Sequence, residues 1–150
     1  MSLYSKTLGV LLEDISYQLR QRDDAECEEG SDWRKKDEGL KASLLAISSL
    51  VGAKLMDKAL SISCTKDAVI EIRAECGRSM FRVKGDTGEY KVLLVGFCDC
   101  FAFTKERSGA VLPICKHILA AHLAQAQGTA EIVRVSDTDW AKLGWGVNFA

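Results

Sequence analysis

The chain lacks any long apolar run. No stretch in its 150 residues approaches the roughly 18 apolar residues that a membrane span requires. The leading segment offers only Leu8 to Leu12 as an uncharged core before Glu13 and Asp14, so no secretory leader is expected either. Net charge is also missing: 20 Lys and Arg against 21 Asp and Glu leave −1 at pH 7. No global field therefore draws the protein onto nucleic acid or anionic lipid, and DNA contact would have to come from a local patch or through a partner. There is no internal repeat. The strings that mark zinc-dependent nucleobase deaminases, His-x-Glu followed by Pro-Cys-x-x-Cys, do not occur.

What is present suits one folded unit. A mass of 16.5 kDa, 47% hydrophobic residues and a mean hydropathy of −0.01 describe an ordinary globular chain with enough apolar content for a core. Six cysteines could form a disulfide framework in a secreted protein. Without an export signal, a reducing intracellular setting is expected, where clustered cysteines more often bind metal.

Between Leu3 and Arg22, Leu8, Leu11, Leu12, Ile15 and Leu19 recur at intervals of three and four and predict a first helix. Residues 21–38 are dominated by charge and read as a solvated linker or a charged interaction tail, with Cys27 an incidental thiol. A second helical pattern runs from about Leu40 to Leu60, weakened at Gly52. Period two then takes over at Ile70 and Ile72, at Phe81 and Val83, and along Tyr90 to Val95, predicting a three-stranded antiparallel meander with its third strand the most buried. Turn-tolerant residues separate these runs. After a loop from about Phe101 to Ile114, residues 115–127 read as a helix stopped by Gly128. A tail follows, with Ser136 as a capping residue and with Trp140 and Trp145 to cap the core or anchor a partner. The expected class is α+β: a short three-stranded antiparallel sheet and a zinc-bound strand-helix finger, flanked by N-terminal helices. The expected division is a helical region over 1–60, a finger over 61–127 and a tail over 128–150.

The chemistry concentrates in Cys98-x-Cys100, a gap of fourteen residues, and Cys115-x-His117. Side chains two apart on an extended strand leave the same face, so both thiolates of the first pair can address one point. The second pair opens a helix and converges in its first turn. Three thiolates and one imidazole suit a tetrahedral structural zinc, with Zn–S of about 2.3 Å and Zn–N of about 2.0 to 2.1 Å. A helix N-terminus, with Lys116 between two ligands and Lys105 and Arg107 in the loop, favours the resulting negative site. A catalytic zinc would keep an open position and a carboxylate nearby; Glu106 is the one candidate in the loop and reads better as a solvated charge. Cys64 and Cys76 read as buried structural thiols, and His122 as a packed or hydrogen-bonded residue rather than a ligand. Phe101, Phe103, Lys105 and Arg107 resemble the aromatic and basic mix of single-strand binders and are candidate partner or DNA contacts, although rings packed beneath the zinc loop are the simpler account. Arg73, Arg82 and Lys84 read as solvated strand faces or as a small basic stripe.

The order Cys98-x-Cys100, fourteen residues, Cys115-x-His117, preceded by strands and continued by a helix, resembles a SWIM-type zinc finger. With Ala59-Leu60, Phe101-Ala102-Phe103 and the run Cys115 to Ala120, residues 55–127 are similar to the small SWIM-domain subunits of Shu complexes. A proline commonly follows the second cysteine of that motif; Phe101 stands here, so a different loop path is expected. The resemblance implies one structural Zn²⁺ and a non-enzymatic subunit in the nucleus. It further implies pairing with a RecA-like recombinase paralogue as a heterodimer and help in assembling the recombinase filament on single-stranded DNA during homologous-recombination repair, with no membrane role. The alternative is a stand-alone SWIM finger that binds nucleic acid or protein in transcription or transposition.

Overall fold

The computed structural model describes residues 3–25, 33–106 and 113–143. In chain order these form α1 (Leu3–Ala25), α2 (Trp33–Val51), α3 (Ala53–Ser63), β1 (Val69–Ala74), β2 (Ser79–Gly85), β3 (Gly88–Leu93), β4 (Phe97–Cys98), α4 (Phe101–Glu106), α5 (Lys116–Gln127), β5 (Glu131–Val135) and α6 (Asp137–Leu143). The class is α+β, as the periodicities predict.

The sheet is larger than expected. Five strands stand in the order β4-β3-β2-β1-β5, antiparallel except for β5, which runs parallel to β1. The two added strands are short or unpatterned: β4 has two residues, and β5 carries Glu131 and Arg134 among three branched apolar residues. Nothing in a local window distinguishes them from loop. Nor is the third strand the most buried, since β3 has only Val92 fully inside; β1, central in the sheet, buries four of its six residues.

Register decides which residues face the helices. The pairs Val69↔Val83, Glu71↔Phe81, Phe81↔Val92 and Val92↔Cys98 put these side chains on one face, because directly opposed residues share a side. There Val69, Phe81, Val83 and Val92 join Leu8, Leu12 and Ile15 of α1, Ile47 of α2, Met56 and Ala59 of α3 and Ile118, Leu119 and Leu123 of α5 in one buried cluster. The opposite face carries Ile72, Met80 and Leu143, with Ile70, Leu93, Val135 and Trp140 packed around them under α6. Ile70 and Ile72 thus look away from the main core, while Glu71 is buried on the helix face at 3% exposure. The carboxylate is offset by Arg73, whose Nε and Nη2 donate to Glu71 Oε1 at 3.2 and 2.9 Å.

Several boundaries move. The charged segment assigned to a solvated linker is narrower than 21–38, since α1 runs on to Ala25 and α2 begins at Trp33. Cys27 lies outside the described residues. The single second helix is two, broken where Gly52 adopts φ 93, a left-handed conformation that side-chain-bearing residues rarely take. Gly128, at φ 67, stops α5 as expected, and Ser136 caps α6 by accepting from Asp139 N at 3.1 Å. The first helix packs on α2 and α5. Along the α1–α2 seam Asp14 accepts from Gln18 Nε2 at 2.6 Å and from the buried hydroxyl of Ser43. No helix among the described residues is long and apolar enough to cross a membrane.

Ile15 is fully buried where α1 meets the core. Ile15→Ala is expected to cost about 2 to 5 kcal/mol in denaturant-induced unfolding; a change near zero would mean that α1 does not belong to the cooperative unit.

Candidate metal centre

Three elements deliver four donors to one point. Cys98 ends β4 opposite Val92, so its thiol faces the helices. Asp99 then turns the chain by clasping β3: its Oδ1 accepts from Lys91 N at 2.9 Å, and its own N–H donates to Lys91 O at 3.3 Å. Cys100 stands at the start of α4, where its Sγ accepts from Phe103 N at 3.4 Å. Cys115 is the N-cap of α5 with extended backbone (φ −110, ψ 171), and its Sγ accepts from Ile118 N at 3.5 Å. The same device, a sulfur accepting the amide three residues on, therefore opens both helices. His117 sits in the first turn of α5 with Nδ1 3.8 Å from Cys98 Sγ. All four residues are buried, and their donor atoms lie within 4.8 Å of one another.

The donor set fits a single zinc ion. A tetrahedral site with Zn–S near 2.3 Å has donor–donor edges of about 3.5 to 3.8 Å, close to the Cys98–His117 separation. All five described cysteines are free thiols, so no disulfide competes for these sulfurs. Two sulfurs accept backbone N–H groups and one caps the positive end of a twelve-residue helix, arrangements that favour thiolate over thiol.

Protonation shows why three sulfurs need a cation. The Cys115 thiol is pulled down to about 4, chiefly because Cys98 donates its proton to it, with His117 and the Ile118 amide helping. Cys98 goes the other way, pushed far up by holding that proton and by burial. Burial also pushes Cys100 up. Without a cation, one buried thiolate is shared and two thiols stay protonated, since three adjacent anions cannot be sustained in a low dielectric. A divalent ion held by these residues would replace those protons.

The imidazole is held by residues that the spacing argument does not touch. Tyr90 stacks on His117 with centroids 4.1 Å apart and planes 23° from parallel. Gly85 closes the edge that the two rings share: a Cβ there would stand 2.6 Å from His117 Nε2 and 2.8 Å from Tyr90 Cε2. Nε2 itself is buried with no hydrogen-bond partner among the described residues, so sterics rather than a second hydrogen bond aim Nδ1 at the sulfurs. The hydroxyl of Tyr90 bonds with that of Thr87, and Lys116 Nζ pairs with Asp86 at 2.7 Å, fastening the β2–β3 turn to the start of α5. Lys116 thus meets Asp86, holding that carboxyl below its usual range, in place of the diffuse role expected beside the thiolates. The glycine of a Gly-Asp-Thr-Gly turn and an aromatic five residues later were the available signals, but both also read as ordinary turn and strand chemistry.

The remaining candidates separate cleanly. Phe103 is buried at 4% exposure and meets Phe97 edge to face at 6.4 Å, so it belongs to the core beneath the site and not to a contact surface. Phe101 is 76% exposed, with Lys105 Nζ 5.6 Å from its ring centroid. Arg107 and Trp145 lie outside the described residues. The expected loop after Cys100 is helical over α4. Cys64 and Cys76 are exposed, contrary to the reading of structural burial, because each falls in a turn where α3 or β1 ends. His122 packs beside Glu13 and Leu94 in a small pocket between α1 and α5, away from the four donors, and burial lowers its pKa. Arg73 and Arg82 are paired with Glu71 and Glu89, and Arg73 leaves by the helix face whereas Arg82 and Lys84 leave by the other, so the three do not line up as one stripe.

No family model, curated protein or solved structure matches the chain. The donor cluster therefore carries the functional reading.

Two measurements test the centre. Because two thiols must lose protons when metal enters, zinc affinity is expected to rise about a hundredfold per pH unit around neutrality, by competition with a chromogenic chelator; a pH-independent constant would contradict that protonation pattern. Gly85→Ala is expected to weaken zinc about 10- to 100-fold by displacing the imidazole, with Tyr90→Leu milder; unchanged affinity in Gly85→Ala would remove the steric role.

Proposed function

We propose that this protein is a SWIM-type zinc-finger subunit in which Cys98, Cys100, Cys115 and His117 hold one structural Zn²⁺. The observation that carries this reading is the buried Cys₃His cluster in the order and spacing of that motif. Four donors complete a tetrahedral set, and the carboxylate closest in sequence, Asp99, is engaged with the Lys91 amide, which supports a structural and non-enzymatic ion. Bound metal ties β4 to α5, and binding worth about 10 to 16 kcal/mol in small fingers rivals the total stability of a domain this size.

In the wider reading, the zinc-tied body is a scaffold in nuclear homologous-recombination repair. It pairs with a RecA-like recombinase paralogue and promotes assembly of the recombinase filament on single-stranded DNA. Charge supports an indirect role: 20 Lys and Arg are balanced by 21 Asp and Glu, and Arg73 and Arg82 are each paired with a carboxylate, so no net positive field draws the chain onto a phosphate backbone. One observation favours the alternative of a stand-alone nucleic-acid-binding finger. Phe101, exposed beside the metal site under Lys105, offers a face on which a base can stack.

A titration of labelled single-stranded DNA with the zinc-loaded chain discriminates the two. Weak binding that a RecA-like ATPase subunit recovered from the native cells converts into stable filament loading supports the scaffold. Tight, salt-steep binding by the chain alone, lost in Phe101→Ala with zinc content unchanged, supports the finger. Chelation with EDTA is expected to abolish either activity together with the near-ultraviolet circular dichroism signal; a chain that keeps its fold and activity without metal would overturn both.

A further inference from the structure

The first helix is apolar on two sides. Leu8, Leu12 and Ile15 enter the core, whereas Leu3, Val10 and Tyr17 stand 78%, 65% and 58% exposed. At 3.6 residues per turn, positions 3, 10 and 17 fall along one stripe on the side of the helix opposite the buried residues. An outward stripe of large apolar residues spaced by seven is the pattern of a helix seam, not of scattered surface side chains.

Its flank identifies what covers it. Lys6, Glu13 and Arg20, all exposed, lie three residues after each apolar position and so line one edge of the stripe. Consider two copies of α1 packed antiparallel about a two-fold axis through Val10. Such symmetry brings each flank against the same flank of the other helix. Lys6 lies about 6 Å to one side of Val10, and Glu13 about 4.5 Å to the other. Reversing the second helix brings its Glu13 to the level of Lys6, within ion-pair reach, and the symmetry repeats the contact. Leu3 meets Tyr17, and Val10 meets itself. A parallel arrangement would instead set this flank against the opposite edge of the other stripe, where Thr7 and Asp14 stand, and would lose both Lys6–Glu13 pairs.

We propose that the outer face of α1 is a homodimer interface, in which a second copy of this chain packs antiparallel across Leu3, Val10 and Tyr17 with reciprocal Lys6–Glu13 pairs. The interface is independent of the zinc site and of the function proposed above, since none of its residues touches the donors. Its small apolar area makes it a reversible, concentration-dependent association.

Sedimentation equilibrium of the zinc-loaded full chain tests it. A monomer–dimer equilibrium is expected, with Val10→Asp monomeric over the same range while zinc content and circular dichroism stay unchanged. Lys6→Glu and Glu13→Lys, each inverting two exposed pairs at once, are expected to weaken the dimer at least about tenfold. Mixing those two variants, or joining them in one chain, is expected to restore it. A wild-type chain that stays monomeric at every concentration reached overturns the proposal. So does a dimer that ignores Val10→Asp, or charge variants that are not rescued by one another. Zinc content and DNA loading are read separately, so loss of the dimer with both intact counts against this inference alone.

Discussion

Three sulfurs and one imidazole held within a few ångströms of each other inside a protein form an arrangement that needs a positive charge. Left to themselves, the sulfurs divide their protons unequally, with Cys115 ionised at the expense of Cys98 and with Cys100 kept neutral by burial. A divalent ion would remove that conflict, and in doing so it would join the end of a two-residue edge strand to the start of the most buried described helix. The strand would not hold its place easily alone, since β4 has two ladder pairs, and among the described residues of α4 only Phe103 is buried. The centre and the sheet edge depend on one another.

The body against which this centre closes is built to keep the imidazole still. The β2–β3 turn comes up beside α5 through three contacts of different kinds: the steric stop at Gly85, the stacked ring of Tyr90 and the Asp86–Lys116 ion pair. Histidine ligands usually gain their orientation from a hydrogen bond to the second ring nitrogen. Here Nε2 has no such partner among the described residues, and shape takes over that task. A glycine is needed at 85 because any side chain would occupy the place of the ring.

Both faces of the sheet are covered, one by the helices of the main core and the other by α6, which explains the unusual burial of Glu71 on an interior strand. Its neighbour Arg73 leaves by the same side and reaches back to it, so the charge is carried inward as a hydrogen-bonded pair rather than as an isolated anion.

The donors, their order and the chemistry they imply were legible from spacing alone, because a Cys-x-Cys on extended chain and a Cys-x-His at a helix start leave few other ways to place their side chains. The helices α1 and α5 and the strands β1 to β3 announce themselves by period, since each buries a continuous face. The strands β4 and β5 do not, because a two-residue bridge and an exposed edge strand are defined by their neighbours and not by their own composition. The same limit hid the side on which Ile70 and Ile72 lie, the exposure of Cys64 and Cys76, and the roles of Gly85 and Tyr90, all of which follow from register and from contacts across the fold. Local pattern can say which residues seek burial or a cation; only tertiary packing decides which face they turn to and what stands behind them.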